Sequence, residues 1–191
     1  SESDGVFRIL TAGRHVYWKG HILIIQAFAK FLRASCIQSE LIILSDGPEY
    51  NWLEAESHRL GIAAQVKFLK WLPTRRDVFQ QYSRADVFAY CSFFECGGYV
   101  VLEAMACGVP VVSIQLGGPG EIVTNDCGIL VPPASIDKTV AGFAKAFSKM
   151  AADRQFLLEK KRKTIEQVVR NYQWSVKGDR LLRLIESFGR R

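Results

Sequence analysis

Several common signatures are missing from this sequence, and each absence narrows the field. No apolar run approaches the roughly 18 residues that a membrane-spanning helix needs. The five cysteines (Cys36, Cys91, Cys96, Cys107 and Cys127) are odd in number and form no CxxC pair, and the three histidines, His15, His21 and His58, lie near none of them. That pattern argues against a disulfide framework and a zinc site, and it suits buried thiols in a reducing cytosol. No GxGxxG follows the first apolar run and no Walker A string occurs, which counts against a dinucleotide cofactor and a P-loop ATPase. No DxD triplet is present to hold a divalent ion beside phosphates, so no metal is expected. RNA-type aromatic motifs and zinc-finger spacing are also missing, so nucleic acid is not an expected partner. The opening SESDGVFRIL has neither a basic stretch nor a leader-like apolar segment, and reads as the cut edge of a longer chain.

What is present reads as one soluble domain. The chain has 191 residues, 49% hydrophobic and 23% charged, enough for a sizeable core. A net charge of +6 favours anionic partners such as phosphates or anionic lipid. The densest basic run, EKKRK at 159–163, reads as a solvated helix face. Short β-branched or aromatic runs (VFRILTAG, SELIILSDG, VKFLKW, DVFAYCS, PVVSI, GILV) alternate with helix-length segments at about 19–34, 48–60, 74–84 and 98–107. The first of these helices places Ile22, Ile25, Phe28, Ala29 and Leu32 on one face, and the third gives a weaker stripe from Val78, Phe79 and Tyr82. The strands are apolar almost throughout, as parallel strands covered on both sides are. The expected fold is therefore α/β, a doubly wound and mostly parallel six-stranded sheet over about 7–133, with C-terminal helices over 135–190. WSVKGDRLLRLIESF reads as a separate last helix, weakened by Gly178.

In such a sheet, ligands sit beyond the carboxyl ends of the strands. GRHVYWKG, SDGPE, ECGG and LGGPGE all fall there. Gly97 and Gly98 precede a helix whose first N–H groups lack intrahelical partners, a place where a phosphate or a sugar hydroxyl can approach the backbone. Glu103 lies about five residues into that helix, roughly 7 Å along its axis, comparable to a phosphate-to-ribose separation. A carboxylate there can accept hydrogen bonds from ribose hydroxyls. Glu95, before the turn, can hold hydroxyls of a sugar carried on the diphosphate. Arg14 and Lys19 flank the start of the first helix, where cations oppose the helix dipole unless an anion offsets them. Both suit a diphosphate in place of a metal.

The E-x7-E spacing from Glu95 to Glu103 continues as LEAMACGVPVV, with GR…KG upstream and LGGPGEIV…CGILVPP downstream. As an ordered set these motifs resemble the C-terminal domain of retaining GT-B glycosyltransferases of the family-four, or glycosyl transferases group 1, type. The similarity covers about residues 7–133. It implies that the chain binds a nucleotide-diphosphate sugar (UDP-, GDP- or ADP-linked) without cofactor or metal. Arg14 and Lys19 match the pair that stabilises the leaving diphosphate, and Gly13 belongs to the same loop. Glu95 matches the donor-sugar contact and Glu103 the ribose contact. Gly97, Gly98, Tyr99 and Val100 match the loop meeting sugar hydroxyls and phosphate, while Gly47, Trp71 and Leu72 match places where the chain passes close to the nucleoside. The catalytic set implied here is Arg14, Lys19 and Glu95.

The sequence departs from the family pattern at Ser45, where Gly is usual, at Lys70 (Gly), at Cys91 (Pro) and at Gly97 (an aromatic). Lys70 bears on base recognition, and Gly97 with Tyr99 on the sugar pocket. The resemblance further implies a separate N-terminal domain holding the acceptor, absent from this chain, and a cytoplasmic protein, peripheral to a membrane where the acceptor is lipid-linked. Other readings keep part of the pattern: a nucleotide-sugar epimerase, a non-catalytic module of the same fold, or a glycosidase using Glu95 and Glu103 as acid and nucleophile.

Overall fold

The computed structural model describes residues 4–188, so the opening SES and the end of the expected helical tail at 190 lie outside the described residues. Six strands form one sheet: β1 (Phe7–Ala12), β2 (Ser39–Leu44), β3 (Val66–Leu69), β4 (Val87–Tyr90), β5 (Val111–Ile114) and β6 (Gly128–Val131). Their order is β3-β2-β1-β4-β5-β6, and every pairing is parallel. Each coincides with one of the apolar runs read from the sequence.

The helices are α1 (His21–Ala34), α2 (Tyr50–Arg59), α3 (Arg75–Arg84), α4 (Tyr99–Ala106), α5 (Gly117–Ile122), α6 (Ile136–Ala152), α7 (Arg154–Asn171) and α8 (Trp174–Phe188). Alternation along the strands divides the interior into two cores. Ile9, Leu41, Ile43, Val87 and Ala89 face α1 and α6, whereas Leu10, Ile42, Leu44, Phe88 and Tyr90 face the side of α3 and α4. Thr74 caps α3 through a reciprocal bond pair with Asp77, which satisfies two otherwise orphaned N–H groups.

Three expectations need correction. The apolar face of α1 is wider than the stripe read from spacing: Leu23, Ile24, Ala27 and Phe31 are buried too, while Ile22 and Leu32 are only half-buried. The cause is α6, which covers a second side of the helix and brings the Phe31 and Phe147 rings to 6.3 Å. Each fully buried aromatic of this kind stabilises the fold by about 1.5–3 kcal/mol. LGGPGE, outside every helix-length segment read from the sequence, opens the short helix α5. Its Pro119 lies in the first turn, where a missing N–H costs nothing. Not all the thiols are buried: Cys91 and Cys127 are, but Cys36 and Cys96 are exposed, and all five are free.

Gly20, the N-cap of α1, ties the β1 loop to the end of β4. Its φ is +63°, and a Cβ there would stand 2.3 Å from the Cys91 carbonyl oxygen. Gly20→Ala is expected to cost at least about 2 kcal/mol, from the left-handed backbone plus the clash. Urea unfolding of the variant checks this, and an unchanged midpoint at unchanged slope would contradict it.

Candidate functional site

The residues singled out from sequence gather at the carboxyl ends of β1, β2, β3 and β4. The β1 and β2 loops are fastened backbone to backbone: the His15 N–H donates to the Asp46 carbonyl at 3.0 Å, and the Glu49 N–H to the His15 carbonyl at 3.1 Å. Gly47 makes this approach possible, because a Cβ there would lie 2.6 Å from the His15 nitrogen and oxygen. Gly47 also lines, with Arg14, Ser45 and Trp71, a surface cavity of about 580 Å³. Arg14 is exposed beside it.

A neighbouring cavity of about 420 Å³ is bordered by Gly13, Ser45, Lys70, Leu72, Val100 and Glu103. Trp71 borders both cavities and is largely exposed. Lys70, the residue that departs from the family pattern, lays its ammonium 3.9 Å over the Tyr50 ring. Ser45 holds φ +114°, the one non-glycine among the described residues at positive φ. Glu103, on α4, accepts a long bond from the Tyr82 hydroxyl at 3.4 Å and sits 3.9 Å from the Arg75 guanidinium. Burial, then the Glu103 charge, raises the Tyr82 hydroxyl well above its ordinary pKa, so Tyr82 keeps its proton and can donate it to Glu103.

The start of α4 has no side-chain cap. The N–H groups of Gly97 and Gly98 instead point at Glu95, each 3.3 Å from Oε1. Glu95 Oε2 accepts from the Lys19 ammonium and, at 2.7 Å, from the Tyr90 hydroxyl. The Tyr90 oxygen in turn accepts from Lys19 at 3.0 Å. Burial pushes the Glu95 carboxyl up, but Lys19, Tyr90 and the Gly98 N–H outweigh it and hold its pKa at about 2. Burial likewise pushes Lys19 down, and its bonds to Glu95 and Tyr90 more than restore it. Tyr99 is exposed, and its ring crosses the backbone of Gly97, 3.1 Å from where a Cβ would stand.

Behind the loops, His15 and His21 lie edge to face at 5.2 Å. His21 bonds the Gly13 carbonyl at 2.9 Å, while both ring nitrogens of the buried His15 lack a partner. Burial lowers both pKa values, that of His21 to about 4, so neither imidazole adds positive charge near neutrality.

The structure thus brings Lys19, Glu95, Gly97 and Gly98 into one cluster and sets Gly13, Lys70, Leu72, Val100 and Glu103 around a second. Sequence reasoning missed Tyr90, Arg75 and the part Tyr82 takes at Glu103. For Tyr90 the available signal was a phenol inside an apolar run, since a buried hydroxyl needs a partner; Tyr82, in QQYSR, carried no such signal.

An all-parallel, doubly wound sheet with this strand order and loop-borne site is the architecture of GT-B glycosyltransferase C-terminal domains. Residues 2–168 match the family described as Glycosyl transferases group 1, and the chain belongs to that family. It is 33% identical over 168 residues to an uncharacterized glycosyltransferase of Methanocaldococcus jannaschii, a match that covers 87% of this chain and 41% of that protein. It is 31% identical over 198 residues to a GDP-mannose-dependent alpha-(1-6)-phosphatidylinositol monomannoside mannosyltransferase of Mycolicibacterium smegmatis, covering 96% and 48% respectively. Its fold is similar to that of Anabaena HepE in complex with UDP, with a TM-score of 0.82 at 25% identity over 96% of this chain and 49% of that one. The chain spans about half the length of these relatives or less.

Glu95 titrates at about 2 in the folded protein, against an ordinary 4.5. A depressed carboxyl contributes stability that is complete above the unfolded value and lost as pH falls through the folded one. The stability gap between the native protein and Glu95→Gln is therefore expected to be constant above about pH 5 and to shrink steadily towards pH 2. Urea titrations at a series of pH values read this directly, and a gap that does not change with pH contradicts it.

Proposed function

We propose that this chain binds a nucleoside-diphosphate sugar and forms the donor half of a retaining, metal-independent glycosyltransferase. The observation that carries the reading is the convergence of a lysine, two N–H groups at a helix start and a cavity-facing carboxylate at the sheet's carboxyl edge. The lysine and the helix start suit a diphosphate. Glu103, beside the second cavity, suits the ribose hydroxyls, and Trp71 and Leu72 border the space left for the base. The name of one relative, which specifies GDP-mannose, and the UDP bound to a structural neighbour support the same class of ligand.

In the reaction, the bond between the anomeric carbon and the β-phosphate oxygen breaks, and the electron pair stays with the diphosphate. Arg14 and Lys19 stabilise that growing charge, a role that a metal fills elsewhere. Glu95 contacts the sugar hydroxyls, and the backbone from Gly97 to Val100 meets hydroxyl and phosphate oxygens. The glycosyl group passes to an acceptor hydroxyl oxygen, whose proton leaves with the departing diphosphate, and configuration is retained. A glycan or lipid-linked acceptor, held by an N-terminal domain outside this chain, completes the site. The cytoplasmic face of a membrane suits both this acceptor and the chain's positive charge; among the described residues no helix is long and apolar enough to cross a membrane.

Calorimetric titration of the chain with UDP, GDP and ADP tests the donor site. One nucleotide is expected to bind saturably and equally well with EDTA present. Arg14→Ala and Glu103→Ala should each weaken binding about tenfold, or about 1.4 kcal/mol. Silence with all three nucleotides, or affinity abolished by EDTA, would sink the reading.

A further inference from the structure

Tyr90 has no place in the assignments above, yet its hydroxyl lies at the centre of the cluster. It ends β4, is 1% exposed, and stacks on Phe88 with ring centroids 6.0 Å apart and planes 19° apart. Such packing leaves the phenol little freedom. From this fixed point the O–H donates to Glu95 at 2.7 Å and its oxygen accepts from Lys19 at 3.0 Å. The Lys19 ammonium also lies 5.6 Å from the centre of the same ring.

The second observation concerns what Glu95 touches. Its two oxygens collect the Gly97 N–H, the Gly98 N–H, the Lys19 ammonium and the Tyr90 hydroxyl. Two N–H groups at a helix start and a lysine are the donors that a phosphate would use at the same place. A carboxylate and a phosphate cannot both take them. Its neighbour Glu103 shares none of these donors.

We propose that Glu95 serves in the free protein as an internal anion at the diphosphate position, displaced when the ligand arrives, and that Tyr90 is a positioning residue that keeps the Lys19 ammonium in place through the exchange. The inference rests on the donor-site reading and adds a sequence of events to it. The incoming diphosphate takes Lys19 and the two N–H groups. Glu95, released, turns to the sugar hydroxyls. Tyr90 does not move, and the lysine is never without a partner. The exchange substitutes one anion for another at a preformed set of donors, so it needs no rearrangement of the fold.

The consequence is a pair of effects of opposite sign. Inorganic pyrophosphate is the probe, because it carries the diphosphate without ribose, base or sugar. Glu95→Gln removes the competing charge and is expected to bind pyrophosphate and UDP five- to tenfold more tightly than the native chain, as charge-assisted contacts weaken when one charge is lost. Tyr90→Phe keeps the ring but loses the anchor, and is expected to bind both three- to tenfold more weakly with little change in melting temperature. Glu121→Gln is the control for simple charge: it removes one exposed negative charge from the neighbouring helix α5 without freeing the donors, and should leave pyrophosphate affinity within twofold.

If Glu95→Gln and Glu121→Gln tighten pyrophosphate equally, general electrostatics explains the effect and the proposal fails. If the native chain binds UDP but Glu95→Gln binds pyrophosphate no better, Glu95 does not occupy the position, and the donor-site reading stands without it. Native affinity in Tyr90→Phe overturns the role given to Tyr90. If neither the native chain nor Glu95→Gln binds pyrophosphate, UDP, GDP or ADP, the proposal and the donor-site reading fall together.

Discussion

The contact between Lys19 and Glu95 spans the seam where the winding of the sheet reverses. From β1 the chain moves outward to β2 and β3, then returns to place β4 on the other side of β1. The β1–β2 register runs over six residue pairs, but β1 and β4 pair only at Ile9–Val87 and Leu10–Phe88. Beyond Leu10 the two strands part, which opens a crevice at their carboxyl ends. A packed interior does not tolerate such a gap unfilled. Here polar side chains fill it from both sides, Lys19 from the β1 loop and Tyr90 with Glu95 from β4 and its loop. The Phe93 N–H closes the seam above them by donating to the Trp18 carbonyl at 2.7 Å.

That arrangement constrains the charges. Removing one member of a half-buried ion pair leaves the other desolvated without compensation, so such pairs persist as units. Lys19 remains protonated and Glu95 remains ionised through the neutral range. The two histidines beneath are kept neutral by burial, so around neutral pH they add nothing to the positive charge that Lys19 offers an anion.

Most of the fold was legible because each strand is a short apolar run and each long helix carries its own period. The limits of that legibility have physical causes. The stripe on α1 assumed one partner, and the broad burial of Leu23, Ile24 and Phe31 arises from α6, more than a hundred residues away in sequence. The turn of helix at Gly117–Ile122 has low intrinsic propensity and is imposed by its surroundings. At the site, the glycines and carboxylates stood out by spacing, and the structure does gather them. Tyr90 did not stand out, because a tyrosine after Phe88 in a buried strand reads as core. Only the third dimension places its hydroxyl between Lys19 and Glu95, residues 71 positions before and 5 positions after it. Gly47 stood out for a ligand's approach, and the structure adds an internal reason, the packing of the His15 backbone against it.

The two glutamates that punctuate the apolar stretch from 95 to 108 differ in how much capacity they have left. A carboxylate offers about four lone-pair sites. Glu95 has four donors on it already and titrates at about 2, so near neutral pH it has no proton to give and cannot be the acid of a glycosidase pair. Glu103 has one long bond from Tyr82 and a guanidinium at 3.9 Å, and it borders a cavity. Spare acceptor capacity beside open space is what two vicinal hydroxyls need, and Glu103 has it at rest. Glu95 gains such capacity only when something more anionic than itself takes its donors. The same residue type, eight positions apart along one chain, is therefore ready for a ligand in one case and conditional on a ligand in the other.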